Sequence, residues 1–157
     1  MRLLVTFLVC VIGSPLTALA TEQGADKDQE ALEGKWVLTS VEGAGIMLSE
    51  SELKRLPRGF IFENGTAKSF HGDAIRAEGT YKTDPKTMPK QLDITLMPPG
   101  TSEGETVLAL YKLNRERLTL CNRLPGKERP AEFAANETTM IAVYVREPST
   151  DENPRSN

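Results

Sequence analysis

The side chains that could carry out chemistry are few, and their spacing does not bring them together. His71 is the only histidine in the chain, and no Cys or His lies at the spacing of a metal site from it. The segment His71-Gly72-Asp73 could supply a base with its carboxylate, but a polar turn between hairpins explains it better. Cys121 could act as a nucleophile, yet a free cysteine in an apolar strand is usually a small buried hydrophobe. The sequence therefore predicts no catalytic residues, no metal site and no cofactor.

Acidic side chains give no clearer signal of catalysis. A glycosidase needs two carboxylates at a set separation across its substrate. The chain holds 22 acidic residues, so one such pair is expected by chance. We therefore infer no hydrolase from the acids that lie on different strands or loops. These acids are Glu78, Asp93, Glu103 and Glu105.

The first twenty residues have the pattern of a secretory signal peptide. Arg2 precedes an apolar run over Leu3–Ile12, and a small-x-small cleavage site ends at Ala20. The apolar run is too short to span a bilayer, which needs about 20 residues. We therefore expect a signal peptide at 1–20 and an exported protein, periplasmic or secreted after cleavage near Ala20.

Length and charge limit the function classes further. The chain has 157 residues, enough for one domain, and loss of Arg2 with the signal peptide would change the net charge from -3 to -4. A mildly acidic domain lacks the basic patch that nucleic acid binding requires. No second apolar run could span a membrane. Cys121 would be the one remaining cysteine, so an internal disulfide is excluded.

The rest of the chain has the pattern of short strands separated by turn residues. Asn64-Gly65 is a strong hairpin signal, and Ser49 with Glu52 has the spacing of a capping box for a short helix. Many short strands with regular turns predict an all-β protein, and the tight sequential turns favour an eight-stranded antiparallel up-and-down barrel. The predicted strands are Lys35–Glu42, Gly59–Glu63, Thr66–His71, Ile75–Thr83, Gln91–Met97, Glu105–Leu113, Arg117–Asn122 and Thr138–Arg146.

The barrel domain is predicted over 32–147. The polar leader at 21–31 and the tail at 148–157 have little to bury, so both are expected to be disordered. Trp36 is the only tryptophan and opens the first predicted strand. We expect it to plug one end of the barrel, with the guanidinium of Arg146 from the last strand packed over its ring.

The opening Leu32-Glu33-Gly34-Lys35-Trp36 resembles the Gly-x-Trp start of lipocalin-like (calycin-like) barrels, and Arg146 stands where such barrels carry the Arg that packs on that Trp. More specifically, the chain resembles a planctomycete family of lipocalin-like domains that are exported or fused and have no assigned function. The resemblance implies that Gly34, Trp36 and Arg146 close the barrel, and it implies no chemistry. Further matching segments are Phe60-Ile61-Phe62, Gly79-Thr80-Tyr81, Asp84-Pro85, Pro89-Lys90, Leu92-Asp93-Ile94, Tyr111, Leu118-Thr119-Leu120-Cys121, Arg129-Pro130 and Phe133.

An eight-stranded barrel can be filled by its own side chains or can hold one small ligand. We expect a non-catalytic binding module for a small apolar or amphipathic ligand, oriented by the hydroxyls of Tyr81, Tyr111 and Tyr144. The alternative is a protein-interaction or inhibitor-type module that acts through the outer barrel surface. Its partner would be an exported protein or a second copy of the chain.

Two predicted strands are apolar on both faces, so their outer faces need a cover. The segment Ile46–Leu56 is the expected cover, and a dimer or partner surface is the alternative. The longest late connection carries Arg129, which would pair with an acid, and Phe133, which would cap the core. This connection would close the barrel as a clip or, alternatively, contact a ligand. The two strands are Val107–Tyr111 and Met140–Val145.

Overall fold

A closed antiparallel barrel of eight strands forms the body of the protein. The structure is a computed structural model that describes residues 23–46, 48–101 and 103–148. Each strand pairs with the next along the chain, and the last pairs with the first, which closes the barrel. The elements are α1 (Gln23–Leu32), β1 (Gly34–Gly43), α2 (Glu50–Arg55), β2 (Arg58–Glu63), β3 (Thr66–His71), β4 (Ala74–Asp84), β5 (Lys90–Met97), β6 (Glu105–Leu113), β7 (Arg117–Asn122) and β8 (Met140–Arg146).

This topology confirms the predicted all-β, eight-stranded up-and-down barrel with a short helix after the first strand. The predicted signal peptide and the tail beyond 148 lie outside the described residues. The last strand begins two residues later than predicted, at Met140. The side-chain oxygen of Asn136 accepts hydrogen bonds from the backbone N–H groups of Thr138 and Thr139, so these residues form a turn instead.

Turn chemistry and alternation explain why these segments pair as they do. Asn64 and Gly65 adopt φ values of 49° and 78°, the left-handed pair that a tight hairpin between β2 and β3 requires. Successive strand residues point to opposite faces, so one apolar face of each strand fills the interior. The interior core consists of Trp36, Leu38, Phe62, Ala67, Tyr81, Leu92, Ile94, Ala109, Tyr111, Leu118, Leu120, Ala142 and Tyr144, with Leu32 and Leu53 from the flanking segments.

Trp36 and Arg146 seal the end of the barrel at which β1 begins and β8 finishes, here called the closed end. Trp36 is fully buried, and its indole N–H donates to the carbonyl of Leu32 over 2.6 Å. The guanidinium carbon of Arg146 lies 4.2 Å from the centre of the Trp36 ring, so the predicted contact is present. A Cβ on Gly34 would stand 2.7 Å from a guanidinium nitrogen of Arg146, which explains a glycine at this position.

Helix α1 covers the closed end, so the prediction of a disordered leader over 21–31 is wrong from Gln23 onward. The leader contains too few apolar residues to form a core of its own, but the barrel supplies partners. Leu32 is fully buried, and the carboxylate of Asp28 accepts hydrogen bonds from Lys90, over 2.8 Å, and from the hydroxyl of Tyr111. Long-range polar contacts therefore hold a helix that local composition does not predict.

The opposite end of the barrel, where β1 finishes and β2 begins, is here called the mouth. Helix α2 lies in the connection between these two strands and begins with the predicted capping box of Ser49 and Glu52. Leu53 is its one buried residue and belongs to the barrel core. The prediction that Ile46–Leu56 covers the outer faces of the apolar strands is therefore wrong, because its anchoring side chain contributes to the interior.

The outer wall is instead covered by residues 123–139, here called the clip. Arg129 donates to the carbonyl of Ala109 over 2.5 Å and forms an ion pair with Asp93 over 2.5 Å, so its predicted pairing with an acid is confirmed. Phe133 lies under the ammonium of Lys112, which is 4.3 Å from its ring centre, and so packs on the outer wall instead of capping the core. Cys121 is fully buried beneath the clip.

Candidate functional site

The barrel interior below the mouth is lined on one side by four aromatic rings, here called the aromatic wall. The ring centres of Phe60 and Tyr144 are 5.6 Å apart, and those of Phe60 and Phe62 are 5.7 Å apart. Phe62 meets Tyr81 edge to face at 4.8 Å. Such separations are typical of favourable aromatic pairs. The wall therefore forms a continuous apolar surface that runs down from the mouth toward the closed end.

Small side chains face the interior on four strands other than β2, which carries Phe60 and Phe62. Alternation places them inward, and all four are buried. Methyl groups at these positions occupy less of the barrel than leucine or isoleucine would. These residues are Ala67 on β3, Ala77 on β4, Ala109 on β6 and Ala142 on β8.

The three tyrosines proposed to orient a ligand have different surroundings. Tyr81 donates to the backbone carbonyl of Gln29 over 3.4 Å, and Tyr111 donates to the carboxylate of Asp28, so both hydroxyls contact α1. Burial raises the pKa of Tyr81, and burial together with the Asp28 hydrogen bond raises the pKa of Tyr111. A ligand contact by either stays a prediction, because α1 already uses their hydroxyl donors.

Tyr144 is the tyrosine whose hydroxyl makes no hydrogen bond to the described part of the chain. It is buried on the inner face of β8 next to Phe60, and burial raises its pKa. Unlike those of Tyr81 and Tyr111, its hydroxyl is not engaged by α1. Of the three predicted tyrosines, Tyr144 is therefore the one best placed to orient a bound molecule.

Two basic side chains stand above the aromatic wall at the mouth. Arg58 is the first residue of β2, His71 is the last residue of β3, and the two are direct cross-strand partners. The Nε of Arg58 and the Nε2 of His71 are buried, and neither has a hydrogen-bond partner within the described residues. Burial, followed by the charges of Arg58 and Arg76, lowers the pKa of His71. The mouth thus holds two buried nitrogens, one of them on a cationic side chain, that have no hydrogen-bond partner within the described residues.

Arg58 was not singled out from the sequence, although the sequence contains the signal that locates it. Arg58, Phe60 and Phe62 alternate along β2, so a single face carries all three. From the sequence alone, His71 is a candidate only as a base paired with Asp73. Its pairing with Arg58 depends on the register of the hairpin that Asn64 and Gly65 set, and this register places the two side chains together.

The other candidate groups are not gathered at this site. Burial raises the pKa of the Cys121 thiol, which disfavours the reactive thiolate. Asp93 pairs with Arg129 on the outer wall, and Glu78 is exposed on β4. Within 23–46, 48–101 and 103–148, no group of three His, Cys, Asp or Glu side chains could hold a metal ion. Neither α1 nor α2, the helices of the described chain, has the length and hydropathy to cross a membrane.

A second concave region lies outside the barrel and is formed mostly by residues of the clip. It has a volume of about 480 Å³ and is open to solvent. Leu124, which is exposed, supplies apolar surface, while Arg123 and Glu137 supply opposite charges. Such a mixed, open surface selects for no ligand class, so the interior remains the better candidate. Comparison of the chain with models of protein families, with curated proteins and with solved structures finds no match.

Proposed function

We propose that this protein is a non-catalytic binding module that holds a small apolar or amphipathic molecule inside its barrel. The observation that carries the proposal is the difference between the two ends. Trp36, Arg146 and α1 seal the closed end through hydrogen bonds and a cation–π contact. The mouth is covered by a six-residue helix whose one buried side chain is Leu53. A ligand would enter there and lie against the aromatic wall.

The interior offers the balance of surfaces that small-molecule sites generally have. Such sites are mostly apolar and carry a few polar groups that fix orientation. Aromatic rings and methyl groups supply the apolar part, and the hydroxyl of Tyr144 supplies a polar group below the mouth. Burial of apolar ligand surface contributes about 25 cal/mol per Å². The described side chains offer no nucleophile paired with a base, so binding is favoured over catalysis.

Native mass spectrometry of the protein purified from its own host tests the proposal. We expect an additional mass of a few hundred daltons that disappears on denaturation. Ala109→Leu, which adds volume to the interior, should abolish the additional mass, whereas Ala131→Leu on the exposed clip should not. Circular dichroism melts of both variants should show folded proteins. A bare chain in every preparation, together with no thermal shift in a panel of apolar ligands, would overturn the proposal.

The alternative, an interaction module that binds an exported protein or a second copy through the outer wall, is the weaker proposal. Leu110, on the outer face of β6, is 3% exposed, and Cys121 beside it is buried. The carbonyls of Glu132 and Ala134 lie 3.6 Å and 3.9 Å from the Cys121 sulfur, so the clip occupies part of the surface that a partner would use.

We also propose the setting that the sequence predicts, an exported member of the planctomycete lipocalin-like family. The support is the Gly34, Trp36 and Arg146 closure together with the signal-peptide pattern. N-terminal sequencing of the protein recovered outside the host cytoplasm should begin after Ala20. A retained N-terminus and a purely cytoplasmic location would contradict it.

A further inference from the structure

The polar groups at the mouth indicate what kind of ligand the barrel takes, an inference that rests on the proposed function. Arg58 lies two residues before Phe60 and four before Phe62 on the same face of β2, and Phe62 is buried in the core. Its side chain is therefore on the inner face, at the rim. His71 has the equivalent position on β3, directly opposite in the pairing. The two residues form the top of the surface that continues downward as the aromatic wall.

Arg58 and His71 each have one buried side-chain nitrogen without a hydrogen-bond partner. The Nε of Arg58 is a donor in every ionisation state of the protein, because arginine stays protonated. The Nε2 of His71 either donates or accepts, according to the tautomer. Both atoms are buried and have no partner among the described residues. Buried polar groups are nearly always paired in native proteins, and an exception needs an explanation, for which a bound molecule that supplies the partner is one.

Glu52 and Glu105, two acids at the mouth, do not provide that partner. Glu52 on α2 is close enough to Arg58 for the two charges to interact, but Ser49 engages its carboxylate through the hydroxyl at 2.6 Å and the backbone N–H at 2.9 Å. Glu105, at the rim of β6, is exposed and lies across the barrel from β2. None of the four salt bridges found within the described chain includes Arg58.

The local charge favours an anion over a neutral group. Arg76, in the bulge where β4 departs from regular pairing with β3, adds a second guanidinium near His71. Burial is the largest cause that lowers the pKa of His71, and the charges of Arg58 and Arg76 follow. An anion placed between these groups would be attracted by both arginines. Planar oxyanions suit arginine in particular, because a guanidinium binds them through two parallel hydrogen bonds.

We propose that Arg58 and His71 bind the carboxylate of a single-chain amphipathic ligand whose apolar chain descends along the aromatic wall. Phe60 and Tyr144 lie directly below the pair and would contact the first part of the chain. The apolar rim around the mouth, with Leu56 and Ile75 partly exposed, would admit such a molecule. The site thus combines an anion-binding group at the rim with an apolar interior.

Calorimetric titration of the purified protein with three probes tests this assignment. The probes are dodecanoate, dodecanol and inorganic phosphate. Dodecanoate carries both head and chain, dodecanol keeps the chain without the charge, and phosphate is an anion without the chain. We expect dodecanoate to bind about tenfold or more tightly than dodecanol, the difference that one charge-assisted hydrogen bond contributes. Phosphate should bind weakly or not at all.

Variants connect the preference to the residues. Arg58→Met should reduce dodecanoate affinity about tenfold and leave dodecanol affinity unchanged. His71→Leu should act in the same direction, and it provides the test if Arg58→Met does not fold. Arg117→Met, an equally conservative change at the start of β7 by the closed end, is the matched control and should change neither affinity.

The outcomes separate this inference from the proposed function. Equal affinities for dodecanoate and dodecanol, unaffected by Arg58→Met, would overturn the carboxylate assignment and leave the binding module intact. Binding of phosphate alone would overturn both, because it would place an anion at the mouth without a chain in the barrel. Binding of dodecanoate that Arg58→Met and Arg117→Met weaken equally would also overturn the assignment, since general charge would then explain the preference.

Discussion

Removal of the Trp36 side chain should destabilise the barrel more than any other single truncation at the closed end. The side chain is fully buried, and a tryptophan buries about 150–250 Å². At about 25 cal/mol per Å² this area corresponds to about 4–6 kcal/mol. Compact unfolded states lower such values, and comparable core truncations cost about 3–5 kcal/mol. We therefore expect Trp36→Ala to lower the free energy of unfolding by about 4 kcal/mol.

Urea unfolding followed by far-ultraviolet circular dichroism measures this loss. Tryptophan fluorescence is unsuitable, because Trp36 is the only tryptophan in the chain. Trp36→Phe keeps most of the ring and loses the hydrogen bond to the carbonyl of Leu32, so it should cost about 1–2 kcal/mol. Met88→Ala is the surface control, since Met88 is 96% exposed, and its effect should stay within about 0.5 kcal/mol.

A loss for Trp36→Ala no larger than that of the surface control would refute the assignment of Trp36 as the plug. Arg146→Ala should cost less than Trp36→Ala, although the guanidinium donates to the carbonyls of Ala31, Glu33 and Arg115. Water replaces a half-buried guanidinium more easily than a fully buried ring, and ordering an arginine side chain itself carries an entropic cost.

Three further predictions concern α1, the clip and the mouth. Asp28→Asn should lower the free energy of unfolding in urea by about 1–3 kcal/mol. Adding Tyr111→Phe to this variant should cause little further loss, because the two side chains share one hydrogen bond. Fully additive losses in the double variant would argue against the contact. Arg129→Met should loosen the clip and speed the labelling of Cys121 by a thiol reagent about tenfold or more, and an unchanged rate would show that the clip does not depend on this arginine. Burial and two neighbouring arginines hold the pKa of His71 below its ordinary value of 6.5, so the unfolded chain takes up the proton first. The free energy of unfolding should therefore fall as the pH drops from about 6.5 toward the folded pKa, and His71→Gln should remove that slope, whereas an identical slope in the variant would assign it to another group.

Much of the fold could be predicted because local signals and global topology agree. Asn64-Gly65 defines one hairpin from two residues, and alternation along β5 places Leu92 and Ile94 on the buried face. The contact between Trp36 and Arg146 joins the first and last strands, and the resemblance to lipocalin-like barrels was enough to predict it. Residue types and their order along the chain were sufficient to predict a contact wherever a side chain had one plausible partner.

The missed features depend on contacts between residues far apart in the chain. The leader was predicted to be disordered because α1 is mostly polar, but Asp28 reaches Tyr111, 83 residues later. The clip covers the outer wall through the carbonyls of Glu132 and Ala134, and backbone atoms carry no sequence signal. The pairing of Arg58 with His71 requires the register of β2 and β3, which composition alone does not provide.

The seal at the closed end also has consequences for the order in which the chain can fold. Arg146 donates to the carbonyl of Glu33 across 113 residues of sequence, so this contact cannot form until almost the whole domain is available. Bringing together such distant segments has a high loop-closure entropy and slows folding. Until β8 arrives, β1 and β7 each keep an unpaired edge open to other chains. A chain interrupted before its last strand would therefore tend to aggregate, and a chaperone that holds the first seven strands apart would protect it.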